Sequence, residues 1–137
     1  MGPGHETGVE MGPLVTRQHL EKVRGYVDAG EEAGAVVVAD GRDLIVEGHE
    51  NGFFLGPTLF DNVNTDMSIY TDEIFGPVLS TVRMDHFEEA IRLINENPYG
   101  NGTAVFTNDG GAARKFQSEI EVGMVGINVP IPVPLSF

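Results

Sequence analysis

Residues 78–107 read VLSTVRMDHFEEAIRLINENPYGNGTAVFT. Val78 to Arg83 is an apolar, β-branched run suited to a strand. Asp85 and Glu88 are three apart, the spacing of a capping box. Phe87, Ala90, Ile91 and Ile94 then fall at i, i+3, i+4 and i+7, one apolar stripe of a helix over 86–96. Asn97-Pro98 stops that helix, because the residue before proline is driven out of the helical region. After the turn Tyr99-Gly100-Asn101-Gly102, a second apolar run covers 103–107. Strand, helix and strand at this spacing predict a βαβ unit with a parallel sheet and a right-handed crossover.

The pattern continues towards the C-terminus. Asp109 is placed to cap a helix over 111–121, with Ala113, Phe116 and Ile120 inward and Gly123 as its stop. Residues 124–129 supply another strand, so a second crossover follows the first. Pro130, Pro132 and Pro134 then forbid ladder bonding and helix alike. In open α/β sheets ligands bind at the carboxyl ends of strands. That rule makes Asn128, Pro130, Ile131 and Pro132 candidate walls of a substrate pocket. An extended spacer is the competing reading of the same prolines.

Towards the N-terminus, Thr16 is positioned to cap a helix over 17–29 carrying Leu20, Val23 and Val27 inward, with Gly30 and Gly34 as stop signals. Residues 35–39 read as a strand and 44–46 as a small surface strand or hairpin. Residues 53–60 are extended and interrupted by Pro57. The segment 61–72 holds Asp61, Asn62, Asn64, Asp66 and Asp72. It lacks the ligand alternation and central glycine of a calcium loop, and is read as an acidic surface loop. No metal site is expected. The fold class is therefore α/β, a mostly parallel sheet built from βαβ units.

Composition limits what such a chain does. With 21 acidic and 8 basic residues its net charge is −13, which argues against nucleic acid and anionic membrane as partners. There is no cysteine, so no disulfide, thiolate metal site or thiol nucleophile comes from these residues. No apolar run reaches membrane-spanning length, and the first residues lack the pattern of a signal peptide. The last strand presents an open edge, which predicts homo-oligomerisation through it.

The stretch Thr71-Asp72-Glu73-Ile74-Phe75-Gly76-Pro77-Val78-Leu79 bears most directly on function. The Glu73 carboxylate is able to accept hydrogen bonds from a pair of hydroxyls such as those of a ribose. Phe75 offers a ring face to a flat ligand. Gly76 permits close approach, and Pro77 biases Gly76 away from the helical region. By spacing alone the same residues also describe a loop before a strand, with Glu73 solvated and Phe75 in the core. No G-x-G-x-x-G follows a strand, so the sequence offers no dinucleotide fold of its own.

Glu73-Ile74-Phe75-Gly76-Pro77-Val78 resembles the signature of the NAD(P)-dependent aldehyde dehydrogenase superfamily. The likeness extends through Gly12-Pro13-Leu14-Val15, Gly56-Pro57-Thr58, residues 97–107 and Gly126-Ile127-Asn128-Val129-Pro130. The turn before Thr103 and the run from Gly126 to Pro134 look most like the CoA-acylating methylmalonate-semialdehyde dehydrogenase branch. The resemblance implies that Glu73 holds the nicotinamide ribose and that Phe75 packs beside the nicotinamide, as cofactor-binding residues. Asn128, Pro130, Ile131 and Pro132 would border the aldehyde tunnel.

It further implies that residues 1–137 form a partial catalytic domain, the portion after the nucleophilic cysteine. The NAD-binding domain and the oligomerisation tail would be absent, and no catalytic residue would lie in this chain. In the complete family a thiolate attacks the aldehyde, hydride passes to NAD, and CoA resolves the thioester. The expected activity is then NAD-dependent, CoA-acylating oxidation of malonate or methylmalonate semialdehyde to an acyl-CoA. The small aldehyde is the substrate and the isolated chain is inactive. The expected location is the cytoplasm, or the mitochondrial matrix in a eukaryote. Two alternatives are a piece of a non-acylating aldehyde dehydrogenase and a non-catalytic acidic α/β interaction module.

Overall fold

The computed structural model describes residues 1–130. It comprises two compact units, the first Met1–Arg83 and the second beginning at Met84.

The first unit is built on helix α1, Arg17–Glu32. Thr16 caps its start, the hydroxyl accepting from His19 N at 3.1 Å. Its end is a Schellman motif: Gly34 N donates to Glu31 O and Ala35 N to Gly30 O, both at 3.0 Å, with Gly34 at φ +94. The helix thus runs a turn past the expected boundary, because only Gly34 is the stop. Gly30 lies inside the helix as a contact point. A Cβ there would stand 2.8 Å from Ile69 Cδ1 and 3.1 Å from Phe60 Cζ.

Strands β1 (Val36–Ala39), β2 (Thr58–Asp61) and β3 (Val78–Ser80) form a sheet in that order. β1 runs antiparallel to β2, and β2 parallel to β3. The β2–β3 connection carries the short helix α2, Ser68–Thr71. Leu20, Val23 and Val27 of α1 share one core with Leu55, Phe60, Val63, Met67, Ile69 and Ile74. The segment 61–72 is therefore not simply a surface loop: Val63, Met67 and Ile69 are buried, Asp61 is half-buried against Arg83, and Asp66 and Asp72 are exposed. Residues 44–46 form no strand.

In the second unit, helix α3 (Phe87–Glu96) joins strand β4 (Gly102–Val105), helix α4 (Gly110–Glu119) and strand β5 (Met124–Ile127). β4 and β5 pair in parallel, Gly102 opposite Met124 through Val105 opposite Ile127. This is the expected β–α–β crossover. Asp109 caps α4, its Oδ1 accepting from Gly111 N at 2.7 Å and Ala112 N at 3.1 Å. Asn95 of α3 closes the other end, donating to Glu119 O at 2.8 Å and accepting from Glu121 N at 2.9 Å. Phe87 and Phe116 pack with ring centroids 6.3 Å apart.

Two expectations need correction. The cap of α3 is His86, without a side-chain cap bond, so the Asp85–Glu88 spacing forms no capping box. The first crossover does not join β3 to β4 in one sheet. β3 pairs with β2, and β4 with β5. The sequence pattern identified most of the elements, α2 excepted, but strand pairing depends on long-range partners that periodicity does not encode. The architecture remains mixed α/β with two of its three ladders parallel.

Candidate functional site

The loop Asp72–Pro77 leaves α2 and enters β3. Asp72 is anchored first, its Oδ2 accepting from Tyr26 OH of α1 at 2.9 Å. Ile74 plugs into the core. Phe75 then adopts φ +58, a left-handed conformation that costs a bulky L-residue roughly 1–2 kcal/mol. Two contacts hold it there. His19 Nε2, in its protonated tautomer, donates to the Phe75 carbonyl at 2.7 Å. Gly76 lies so tightly on α1 that a Cβ would stand 2.7 Å from Val23 Cγ1.

Pro77 completes the turn. Val78 N donates to Gly76 O at 2.8 Å across it, and Thr58 N to Pro77 O at 2.8 Å ties it to β2. The Gly56-Pro57-Thr58 run has its own function in this frame. Gly56 N donates to Gly41 O at 2.9 Å, and the buried Thr58 hydroxyl accepts from Gly41 N at 3.0 Å.

The result is a buried isoleucine followed by an outward phenylalanine. The Phe75 side chain is 75% exposed, and Glu73 is exposed on the same loop. An aromatic held in water by a strained backbone is the opposite of core packing, and it presents a ring face. Sequence reasoning missed the helix side of this arrangement. His19, Lys22 and Tyr26 follow i, i+3, i+7 spacing along one flank of α1. Lys22 Nζ stands 5.6 Å from the Tyr26 ring centroid. A cleft of about 300 Å³ is lined by Thr16, Gln18, His19 and Lys22. Another, of about 320 Å³, is lined by Met11, Leu14, Leu55, Gly76 and Pro77 among others. The available signal was the polar spacing of His19, Lys22 and Tyr26 within the helix that Thr16 caps.

Asn128 and Pro130 follow β5 in the second unit, and both are exposed. Asn128 has φ +56. Its Oδ1 accepts from Thr107 N at 2.8 Å, and its Nδ2 donates to Thr107 O at 3.0 Å. Its backbone N donates to Val105 O at 2.8 Å. The side-chain amide thereby adds a rung beyond the β4–β5 ladder and fixes where the chain leaves the sheet. The amide is engaged within the fold rather than offered to a ligand. Ile131 and Pro132 lie outside the described residues.

The electrostatics of the first unit concentrate on Arg42. Its guanidinium contacts Asp40 at 2.6 Å, Glu31 at 2.6 Å and Asp28 at 2.8 Å. Hydrogen bonds from the Arg42 side chain and backbone hold the Asp40 carboxyl below the usual carboxylate range. Asp40, Asp28 and Glu31 push the Arg42 guanidinium above its ordinary value. This cluster ties the end of α1 to the turn after β1.

The scaffold is mixed α/β, with a strained, outward Phe75 and an exposed Glu73 on one loop packed against α1. Residues 1–136 match the model of the aldehyde dehydrogenase family, and the chain belongs to that family. It is 58% identical over 137 residues to malonate-semialdehyde dehydrogenase of Pseudomonas aeruginosa, covering 100% of this chain and 28% of that protein. It is 51% identical over 127 residues to a bovine mitochondrial acylating methylmalonate-semialdehyde/malonate-semialdehyde dehydrogenase, covering 93% of this chain and 24% of that one. A Sinorhizobium meliloti 1021 protein solved in complex with NAD superposes with a TM-score of 0.89 at 55% identity. That match covers 93% of this chain and 26% of the other. The chain thus spans about a quarter of the length of these relatives.

Proposed function

We propose that this chain supplies the nicotinamide-ribose grip of an NAD-dependent, CoA-acylating malonate or methylmalonate-semialdehyde dehydrogenase. It corresponds in this reading to the part of the catalytic domain that follows the nucleophilic cysteine. The observation that carries the proposal is Phe75, held at φ +58 and 75% exposed beside an exposed Glu73.

These residues fit the cofactor's chemistry. A carboxylate takes both hydroxyls of a ribose, and a ring face covers one side of a nicotinamide. NAD, when bound, accepts the hydride released as the aldehyde is oxidised. The chain's own residues position that half of the cofactor: Glu73 by hydrogen bonds, Phe75 by contact, His19 and Gly76 by fixing the Phe75 backbone. With no cysteine in the sequence, the thiol that attacks the aldehyde belongs to other polypeptide. CoA is the acceptor of the acyl group. Asn128, Pro130, Ile131 and Pro132 would border the aldehyde pocket, as the family resemblance implies, with the Asn128 backbone rather than its engaged amide facing it.

Among the described residues no helix is long and apolar enough to cross a membrane. A cytoplasmic or matrix enzyme acting on a small aldehyde, without nucleic acid or membrane as partner, accords with that and with the charge. The exposed sheet edges support homo-oligomerisation. Light scattering across a concentration series should show mass rising with concentration, and a constant monomer mass contradicts it.

The activity is tested by replacing the matching segment of the Pseudomonas aeruginosa relative with residues 1–137. The chimera is expected to form NADH from malonate semialdehyde in a CoA-dependent manner. A folded chimera without that activity, or with activity indifferent to CoA, overturns the proposal.

A further inference from the structure

Helix α1 has a second polar flank. Arg17, Leu20 and Arg24 follow i, i+3, i+7 spacing, roughly half a turn round the axis from His19, Lys22 and Tyr26. Segment 44–54 folds over this flank and encloses a cleft of about 290 Å³, its walls including Arg17, Leu20, Arg24, Leu44, His49 and Phe54. The volume is at the lower end of small-molecule sites.

The two arginines are positioned without being neutralised. Arg24 Nη2 donates to Arg42 O at 2.7 Å. Arg17 Nη2 donates to Asn51 O at 3.4 Å, and its guanidinium lies 5.4 Å from the Phe53 ring centroid. A guanidinium carries five N–H donors, so each arginine is anchored with donors to spare. Among the described residues neither forms an ion pair within 4.0 Å, a state they share with Lys22, Arg92 and Arg114; what sets them apart is that both line one cleft. Two guanidinium groups with donors to spare thus bound one cleft whose lining includes Leu20, Leu44 and Phe54, an arrangement able to take up an anion with an apolar part.

We propose that this cleft binds a small monocarboxylate with a short hydrocarbon tail. The tail lies on Leu20, Leu44 and Phe54, and the carboxylate accepts from Arg17 and Arg24. A single negative charge is favoured over a phosphate dianion because Glu50 also lines the cleft and the chain carries a net charge of −13.

The test is a titration of the intact chain with hexanoate, followed by two-dimensional NMR, with hexan-1-ol as the uncharged control. Hexanoate is expected to shift resonances of residues 17–24 and 44–54 saturably, and hexan-1-ol to bind at least about fivefold more weakly. Arg17→Gln and Arg24→Gln should each weaken hexanoate binding by at least about fivefold, and Glu50→Gln should tighten it about twofold. All three side chains are exposed, so the variants are expected to fold. Equal binding of hexan-1-ol, arginine variants of unchanged affinity, or shifts that never saturate would overturn the proposal.

Discussion

Phe75 occupies a backbone conformation that glycine adopts without cost, yet it is a large aromatic with most of its ring in water. Stability alone would not select it. The strain is tolerated because Ile74 is buried on one side, Gly76 is pressed against Val23 on the other, and His19 holds the carbonyl between. Local rules broken at an exposed residue point to function. Phe75→Gly is therefore expected to leave stability unchanged or raise it by up to about 1 kcal/mol, as relief of strain offsets the greater freedom of the unfolded chain. Urea unfolding measures it, and a loss beyond about 1 kcal/mol would show that the ring is packing. The sequence made Glu73 and Phe75 legible as a motif. It left His19 unmarked, because the partner of a helix residue 56 positions away is set by tertiary packing.

At the scale of elements, local chemistry and partner choice separate cleanly. The stripe Phe87, Ala90, Ile91, Ile94 and the cap Asp109 were readable because their interactions lie within a few residues. Asp109 accepts two backbone N–H bonds at the start of α4. Asp109→Ala should cost about 0.5–2 kcal/mol, with Asp109→Asn retaining most of the stability. A thermal-melt series in which the Asn and Ala variants are equally destabilised would contradict a capping role. Helix α2 was missed because four residues carry no period of their own. The signal was Val63, Met67 and Ile69 interleaved with acids, apolar side chains that a solvated loop has no reason to hold. The β3–β4 crossover failed for a different cause: parallel pairing of β3 fell to β2, through a connection that the acidic composition had disguised.

The whole molecule is strongly acidic, and its paired carboxylates give its stability a defined pH dependence. Arg42 depresses Asp40, Arg83 depresses Asp61, and Lys115 depresses Glu88, each below its ordinary value. A depressed folded-state value means the stabilisation is present above the ordinary range near 3.8 to 4.5 and disappears as pH falls through the lower folded value. Asp40→Asn should accordingly be less stable than the parent at neutral pH. The two stability curves should converge as pH falls through the lowered folded-state value, where Asp40 becomes protonated. A gap that stays constant with pH would contradict the Arg42–Asp40 account. Net charge and the lack of cysteine were fully legible in composition. The division into two units was not, since nothing in residues 83–86 marks a boundary.

We propose that Glu73 and Phe75 grip the nicotinamide half of NAD. The most direct measurement of that grip is kcat/KM for NAD in the chimera with the Pseudomonas aeruginosa relative, comparing Glu73→Gln and Phe75→Ala with the distant surface change Asp43→Asn. The account predicts losses of at least about tenfold for the first two and no change for the third. Full activity towards NAD in both Glu73→Gln and Phe75→Ala would contradict it.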